Sequence, residues 1–326
     1  MSSVGVIRVR RRYAAPMDDG LVDIHCHGAV GATFGSDTED SRRAAAHHRA
    51  AGSTGLVASL VSGSAARMTA EALALAPLVA DGTVLGLHLE GPFLAPSCRG
   101  AHDVRALRDP DPGFIERLAA ALADAGAAGA IRQVTFAPEL PGAYGLIRTL
   151  AEHRIVPALG HTAASAEQLR DAVDTVLEVC GVRPVVTHVF NGMPAFHHRA
   201  GGPAAAALSA GARGEAVVEV IADGVHLAPE VVRLVFDAVG AERVVLVSDA
   251  TAATGLGDGG HRLGGLDVVV AGGTARLRRT DGRPGAIAGS TRTLADCVRW
   301  AVDVAGIAEA DALTAATRTP LRALGV

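Results

Sequence analysis

Eight short runs rich in Val, Ile and Leu, each followed by an Ala- and Leu-rich amphipathic stretch, recur along almost all of this 326-residue chain. The runs are Leu21–His27, Thr54–Val61, Val84–Glu90, Arg132–Ala137, Ile155–His161, Val185–Phe190, Val217–Ala222 and Val244–Ser248. They are too short for helices and too uniformly apolar for strands with one wet face, so they are expected to be strands buried on both sides. The stretches between them, from Thr38–Ala51 through Ala65–Val79, Pro112–Ala125, Gly142–Glu152, Ser165–Val179 and Pro203–Ser209 to Pro229–Val239, read as helices, and a last one follows at Thr291–Val304. Eight strand-then-helix units in series predict the α/β class and a (β/α)8 barrel. An open doubly wound sheet is the alternative. No G-x-G-x-x-G follows the first run, which weighs against its dinucleotide-binding version.

Residues 1–20 are expected to be an N-terminal tail or the remnant of a β-sandwich, and residues 21–326 the barrel. A glycine-rich segment, about 251–289, interrupts the last unit and carries a hairpin pattern, Leu266–Val270 then Thr274–Arg278. A connection this long in a compact domain is usually functional, so it is read as an insertion over the barrel mouth.

Composition narrows the partners. With 49% apolar and 20% charged residues the chain can bury a large core, and a net charge of -4 gives no electrostatic reason to expect nucleic acid or an anionic membrane. No apolar run reaches membrane-spanning length, and the N-terminus lacks the order of a secretory signal. Cys26, Cys98, Cys180 and Cys297 are scattered, which suits free thiols in a reducing cytoplasm.

In such a barrel the active site lies at the C-terminal ends of the strands. There the sequence places His25 and His27, His88-Leu89-Glu90, Gly160-His161-Thr162, Thr187-His188 running into Asn191, Asp223-Gly224-Val225-His226, and Ser248-Asp249-Ala250. In a strand alternate residues share a face, so His25 and His27 point one way and Cys26 the other. Imidazole nitrogens and carboxylate oxygens are the ligands of a divalent ion such as zinc, and a catalytic site keeps a position open for water. Glu90, His161 and His188 supply such a set, and His25 and His27 can hold a second ion beside it. The chain contains no lysine. A carboxylated lysine therefore cannot bridge two ions, and Glu90 must do so if two are bound. Asp249 stands where a general base belongs, able to take a proton from activated water and deliver it to a leaving group. Its alternative role is to cap the following turn.

Together the motifs His88-Leu89-Glu90-Gly91-Pro92-Phe93, Gly160-His161-Thr162, Thr187-His188-Val189-Phe190-Asn191-Gly192-Met193, Asp223-Gly224-Val225-His226 and Ser248-Asp249-Ala250 resemble the N-acetylglucosamine-6-phosphate deacetylase family, a branch of the amidohydrolase superfamily. Arg99-Gly100-Ala101-His102, His198-Arg199 and Ala288-Gly289-Ser290 look like further elements of that family. The resemblance runs from about Leu21 to the C-terminus. It implies hydrolysis of the acetamide of a phosphorylated amino sugar in the cytoplasm, with Glu90, His161 and His188 as primary ligands. Asp249 is then base and acid, and His102 polarises the acetyl carbonyl. His226 and the backbone around Asn191 and Gly192 hold the sugar phosphate, with Arg199 facing the phosphate from its own or a neighbouring subunit, which implies a homodimer. Zinc is the expected ion, with iron, cobalt or manganese as alternatives. The family varies at the first motif; this chain keeps both histidines, so one or two ions are compatible with it. Relatives frame the barrel with a small β-sandwich built from both chain ends, and here most of it is expected to be missing, leaving apolar surface that favours association.

The other histidines get blander expectations. His47 and His48 are placed on the outer side of the first helix and His153 at a helix end; His197, beside Arg199, is open between a substrate contact and a surface role, and the role of His261 in the insertion is open. Cys26 is expected to be a small core residue. Two further functional readings stay open: the same scaffold acting on another acetamido sugar phosphate or on a cyclic amide, and a poorly active metal-binding paralogue.

Overall fold

The computed structural model describes residues 20–263, 265–279, 281 and 283–325. The tail assigned to residues 1–20 lies outside them except for Gly20. Eight parallel strands form one sheet in sequential order: β1 (Leu21–Cys26), β2 (Ser53–Val61), β3 (Gly86–Glu90), β4 (Ile131–Phe136), β5 (Val156–Leu159), β6 (Val185–Val186), β7 (Val217–Ile221) and β8 (Val244–Val247). The sheet closes through backbone bonds just past β8. Asp249 N–H donates to His25 O (2.9 Å), His27 N–H donates to Ala250 O (2.7 Å), and Cys26 forms a parallel bridge with Ala250. This closure is the predicted (β/α)8 barrel, and it sets Asp249 beside His25 and His27.

Helices α1 (Thr38–Ala50), α2 (Ala65–Ala80), α3 (Pro112–Asp124), α4 (Ala143–Glu152), α5 (Ala166–Cys180), α6 (Gly202–Arg213), α7 (Pro229–Val239) and α8 (Leu294–Asp303) follow their strands, and α9 (Glu309–Ala316) and α10 (Arg318–Ala323) end the chain. Their starts carry the expected chemistry. Asp37, Ser64, Asp111, Ser165 and Thr293 each accept a backbone N–H of the first turn, and the last two close full capping boxes. The strands came where they were expected within about two residues, except for one strand, and one helix also differs in length. β6 stops at Val186, because Thr187–Phe190 turns away with positive φ at His188 and Phe190, and α6 runs four residues beyond Ser209.

The main core joins the outer faces of the strands to the helices, through residues such as Leu56, Leu87, Leu89, Val134, Leu146 and Val232. A separate cluster of Val22, Ile24, Val57, Val217, Ile221, Val245 and Val247 meets Leu324 after α10. By the two-residue period of a strand these side chains share one face, which is the filling of the barrel. The pairing of β1 with β2 shifts between Asp23 and Cys26, and this irregularity lets Ile24 and His25 both serve the interior.

The interruption after β8 holds a three-stranded antiparallel sheet, β9 (Gly259–Leu263), β10 (Leu266–Ala271) and β11 (Thr274–Leu277). The last two strands are the hairpin read from the sequence; β9 is an addition to it. No helix among the described residues is long and apolar enough to cross a membrane.

Two sequence expectations need correcting or confirming here. His48 is fully buried, not on the outer side of α1. It lies on the face of Ser41, Ala44 and Ala45, where its Nε2 is 3.1 Å from Gly28 O and 3.2 Å from Cys26 Sγ. Burial pushes its pKa down to about 4, so it is a neutral ring that ties the helix to the turn after β1. Cys26 is buried on the helix side, as expected.

Candidate metal centre at the barrel mouth

The polar ends of β1, β3, β5, β6 and β8 converge on Glu90. Glu90 Oε1 lies 3.0 Å from His161 Nε2, 2.9 Å from His188 Nε2 and 3.6 Å from His25 Nε2, and Glu90 Oε2 lies 3.2 Å from His27 Nε2. Asp249 Oδ1 stands 3.2 Å from His27 Nε2 and 3.6 Å from His25 Nε2. All six residues are almost fully buried. Two overlapping ligand groups result, Glu90 with His161 and His188, and His25 and His27 with Glu90.

Tautomers decide what these groups could hold. A neutral imidazole has one N–H, and the partner of that N–H decides where the lone pair points. His25 Nδ1 faces the Glu219 carboxylate (3.1 Å), His27 Nδ1 faces Ser59 O (3.2 Å), and His161 Nδ1 faces Cys98 O (2.8 Å). Carboxylates and carbonyls only accept, so each Nδ1 carries the proton and donates it. Each Nε2 therefore presents a lone pair to the centre. His25 Nε2 and His27 Nε2 are only 3.2 Å apart. Lone pairs gathered this closely around a carboxylate could hold a cation, and the donor set fits a divalent ion of the zinc type.

The electrostatics agree. Burial alone would lower the pKa of His25, but the Glu90 charge and the Glu219 hydrogen bond outweigh it and raise the pKa well above the ordinary value. Burial is likewise the largest influence on His27, yet bonds to Asp249 and Glu90 lift it to about 9. Burial would raise Asp249, but the His27 bond and the charges of His25 and His27 hold it at about 2.

His102 has the opposite tautomer. Its Nδ1 accepts the backbone N–H of Ser62 (3.3 Å), so the proton sits on Nε2, which points at Glu90 Oε2 from 3.3 Å. Burial keeps its pKa below the ordinary value, so the ring is neutral. It offers the site an N–H where His25, His27 and His161 offer lone pairs. His226 Nδ1–H donates to Asp223 Oδ2 (2.8 Å); burial opposes protonation, but Asp223 outweighs it and raises the pKa. The His226 Nε2 faces Asp249 Oδ2 at 4.0 Å.

The backbone here is strained. His161, His188 and Asp249 have φ of 47°, 26° and 48°, a region that costs a residue with a side chain about 1–3 kcal/mol. Glycine is required next to them: a Cβ on Gly192, at φ 59°, would come within 2.6 Å of His161 Nδ1. Gly192 thus makes room for a ligand ring as well as lining the cavity.

That cavity, of about 370 Å³, is lined by His27, Glu90, His102, His161, His188, Asn191, Gly192, His226 and Asp249, with Leu263, Arg276 and Ile287 of the insertion. Of the residues predicted from sequence, all line it except His25, which lies deeper, and Arg199. Arg199 is exposed on the 194–200 loop, outside the wall of the cavity. Sequence reasoning missed Arg276, because its strand belongs to the insertion, and Glu219, because Val217–Ile221 reads as one apolar run.

The chain matches the amidohydrolase family model over residues 20–326. It is 32% identical to an N-acetylgalactosamine-6-phosphate deacetylase of Escherichia coli O157:H7, over 98% of this chain and 81% of that protein. It is 34% identical to an N-acetylglucosamine-6-phosphate deacetylase of Homo sapiens, over 97% of this chain and 75% of that protein. In structure it is similar to a mutant N-acetyl-D-glucosamine-6-phosphate deacetylase of Mycobacterium smegmatis in complex with N-acetyl-D-glucosamine 6-phosphate. That likeness has a TM-score of 0.84 and 43% identity, and covers 94% of this chain and 77% of that one.

Proposed function

The chain belongs to the amidohydrolase family, whose members depend on metal, and on that premise we propose that it removes the acetyl group of N-acetylglucosamine 6-phosphate, giving glucosamine 6-phosphate and acetate. The observation that carries the reading is the contrast of tautomers. Nε2 lone pairs of His25, His27 and His161 meet around Glu90, while the single N–H of His102 and the carboxylate of Asp249 face the same space.

Glu90, His161 and His188 would hold one divalent ion, zinc by its ligand types, and His25 and His27 a second, with Glu90 between them. When bound, the metal lowers the pKa of water and polarises a carbonyl. The chain's own residues do the rest. Asp249, ionised at neutral pH, accepts a proton from the attacking water as its oxygen bonds to the acetyl carbon. His102 Nε2–H donates to the carbonyl oxygen as negative charge develops there. Asp249 then passes the proton to the amide nitrogen as the C–N bond breaks, which releases the amine and acetate. His226, whose pKa Asp223 raises, and the turn at Asn191 and Gly192 hold the sugar phosphate. Arg199, exposed beside the cavity, is available to the site of a neighbouring copy in a homodimer, where a guanidinium gives bidentate contacts to phosphate. Free cysteines throughout fit a cytoplasmic setting.

N-acetylgalactosamine 6-phosphate is the second reading, because the Escherichia coli relative carries that name. Acetate release from the two epimers and from unphosphorylated N-acetylglucosamine separates the cases. The proposal expects the highest kcat/KM on N-acetylglucosamine 6-phosphate and a large loss without the phosphate. A preference for the galacto epimer establishes the second reading, and release from neither phosphorylated sugar rejects both.

A further inference from the structure

Glu219 sits in the middle of β7, in the run Val217-Val218-Glu219-Val220-Ile221, and has no exposed surface. Its side chain shares a face with Val217 and Ile221, inside the filling of the barrel. A carboxylate buried among aliphatic side chains is costly unless donors surround it. Its donors are specific. Oε2 accepts from His25 Nδ1–H and from the backbone N–H of His188, each at 3.1 Å. Gln133 Nε2 approaches Oε1 at 3.5 Å. The backbone carbonyl of Glu219 accepts from Val189 N–H at 3.0 Å. Glu219 does not line the catalytic cavity.

One oxygen therefore serves a ligand of each half of the centre: the ring of His25 on β1 and the backbone of His188 after β6. At His25 it fixes the proton on Nδ1 and aims the Nε2 lone pair at His27, Glu90 and Asp249. At His188 it helps hold a residue whose φ of 26° is unfavourable.

We propose that Glu219 is the positioning residue that keeps the His25–His27 half of the centre able to bind a divalent ion, and that it ties this half to His188. The inference rests on the reading of these histidines and Glu90 as metal ligands. It does not depend on the substrate.

The two halves respond differently to loss of the side chain. In Glu219→Leu, His25 loses the acceptor of its Nδ1–H, whereas His188 keeps the adjacent Val189 bond to a backbone carbonyl that no side-chain change removes. Glu219→Gln retains an acceptor oxygen for both N–H groups. The test is zinc content and zinc affinity by competition with a chromophoric chelator, with thermal unfolding of the metal-free protein as the folding control. Glu219→Leu is expected to weaken the second ion by about 10- to 100-fold, with a smaller effect on the first, and Glu219→Gln to retain the second ion within about tenfold. In a His25→Ala background, Glu219→Leu should cause no further loss of the second ion. Wild-type affinity for both ions in folded Glu219→Leu, or equal losses in the Gln and Leu variants, overturns the proposal.

If Glu219→Leu does not fold, the wild-type protein settles the matter by nitrogen-15 NMR of its labelled histidines. His25 of the zinc-loaded protein is expected to carry its proton on Nδ1, and the reverse tautomer contradicts the proposal. A protein that meets these expectations but releases no acetate rejects the deacetylase reading and leaves the role of Glu219 intact.

Discussion

His27 Nε2 and Asp249 Oδ1 lie 3.2 Å apart inside the barrel mouth, joining the end of β1 to the end of β8. The contact exists because the barrel closes there, through His25 O and Ala250 O. It has a pH signature in the metal-free protein. His27 has its folded pKa raised to about 9 against an ordinary value of 6.5. Its pairing therefore stabilises the fold fully below about pH 6.5, and that contribution is lost as pH rises through about 9. Asp249, held at about 2 against 3.8, contributes above 3.8 and loses its effect only as pH falls toward 2. The melting temperature in chelator should therefore fall between pH 6.5 and 9, while metal affinity rises over the same window as protons leave the ligands. A metal-free protein that becomes more stable from pH 6.5 to 9 would contradict this.

Gly192→Ala should injure the metal site from outside the ligand set. The substitution places a Cβ 2.6 Å from His161 Nδ1 and 3.1 Å from Cys98 O, the carbonyl that orients that ring. The left-handed backbone adds about 1–2 kcal/mol. Gly82→Ala is the control, since Gly82 has a similar φ of 74° and nothing within 4 Å of its Cβ position. Both variants should lose stability, and only Gly192→Ala should lose metal affinity, by about tenfold or more. Equal metal affinity in the two, measured by chelator competition, would show that Gly192 does not hold His161 in place.

The fold was legible because eight Val/Ile/Leu runs can hardly be anything but buried strands, and Glu90, His161, His188 and Asp249 were legible because they end those runs. Glu219 was hidden by the same logic: its neighbours Val218 and Val220 make it look like a blemish in an apolar strand. A lone carboxylate in such a run is itself a signal of a buried partner. His48 was misplaced although its helical spacing from Ser41, Ala44 and Ala45 marks a buried face. The tautomers of His25, His27, His161 and His102 could not be read from sequence, because they depend on carbonyl, carboxylate and backbone N–H groups brought in by the folded chain.

The two arginines near the mouth make separable predictions. Arg199→Ala should raise KM for N-acetylglucosamine 6-phosphate by about tenfold, the effect of one charge-assisted contact, with little change for the unphosphorylated sugar. Equal effects on both sugars would remove Arg199 from phosphate recognition. Arg276, whose side chain lines the cavity and donates to Gly285 O at 3.0 Å, is the comparator. If only its removal gives the phosphate-specific change, the phosphate lies under the insertion of its own subunit.

On the proposed function, Asp249 moves the proton in an amide hydrolysis carried out at the Glu90, His161 and His188 centre. The most direct measurement of this role is acetate released from N-acetylglucosamine 6-phosphate per mole of bound metal, for the wild-type protein and Asp249→Asn. The wild type is expected to turn over, and the variant to lose about 10²–10⁴-fold at equal metal content. A folded, metal-loaded wild type that releases no acetate, or an Asp249→Asn variant that works at the wild-type rate, would contradict it.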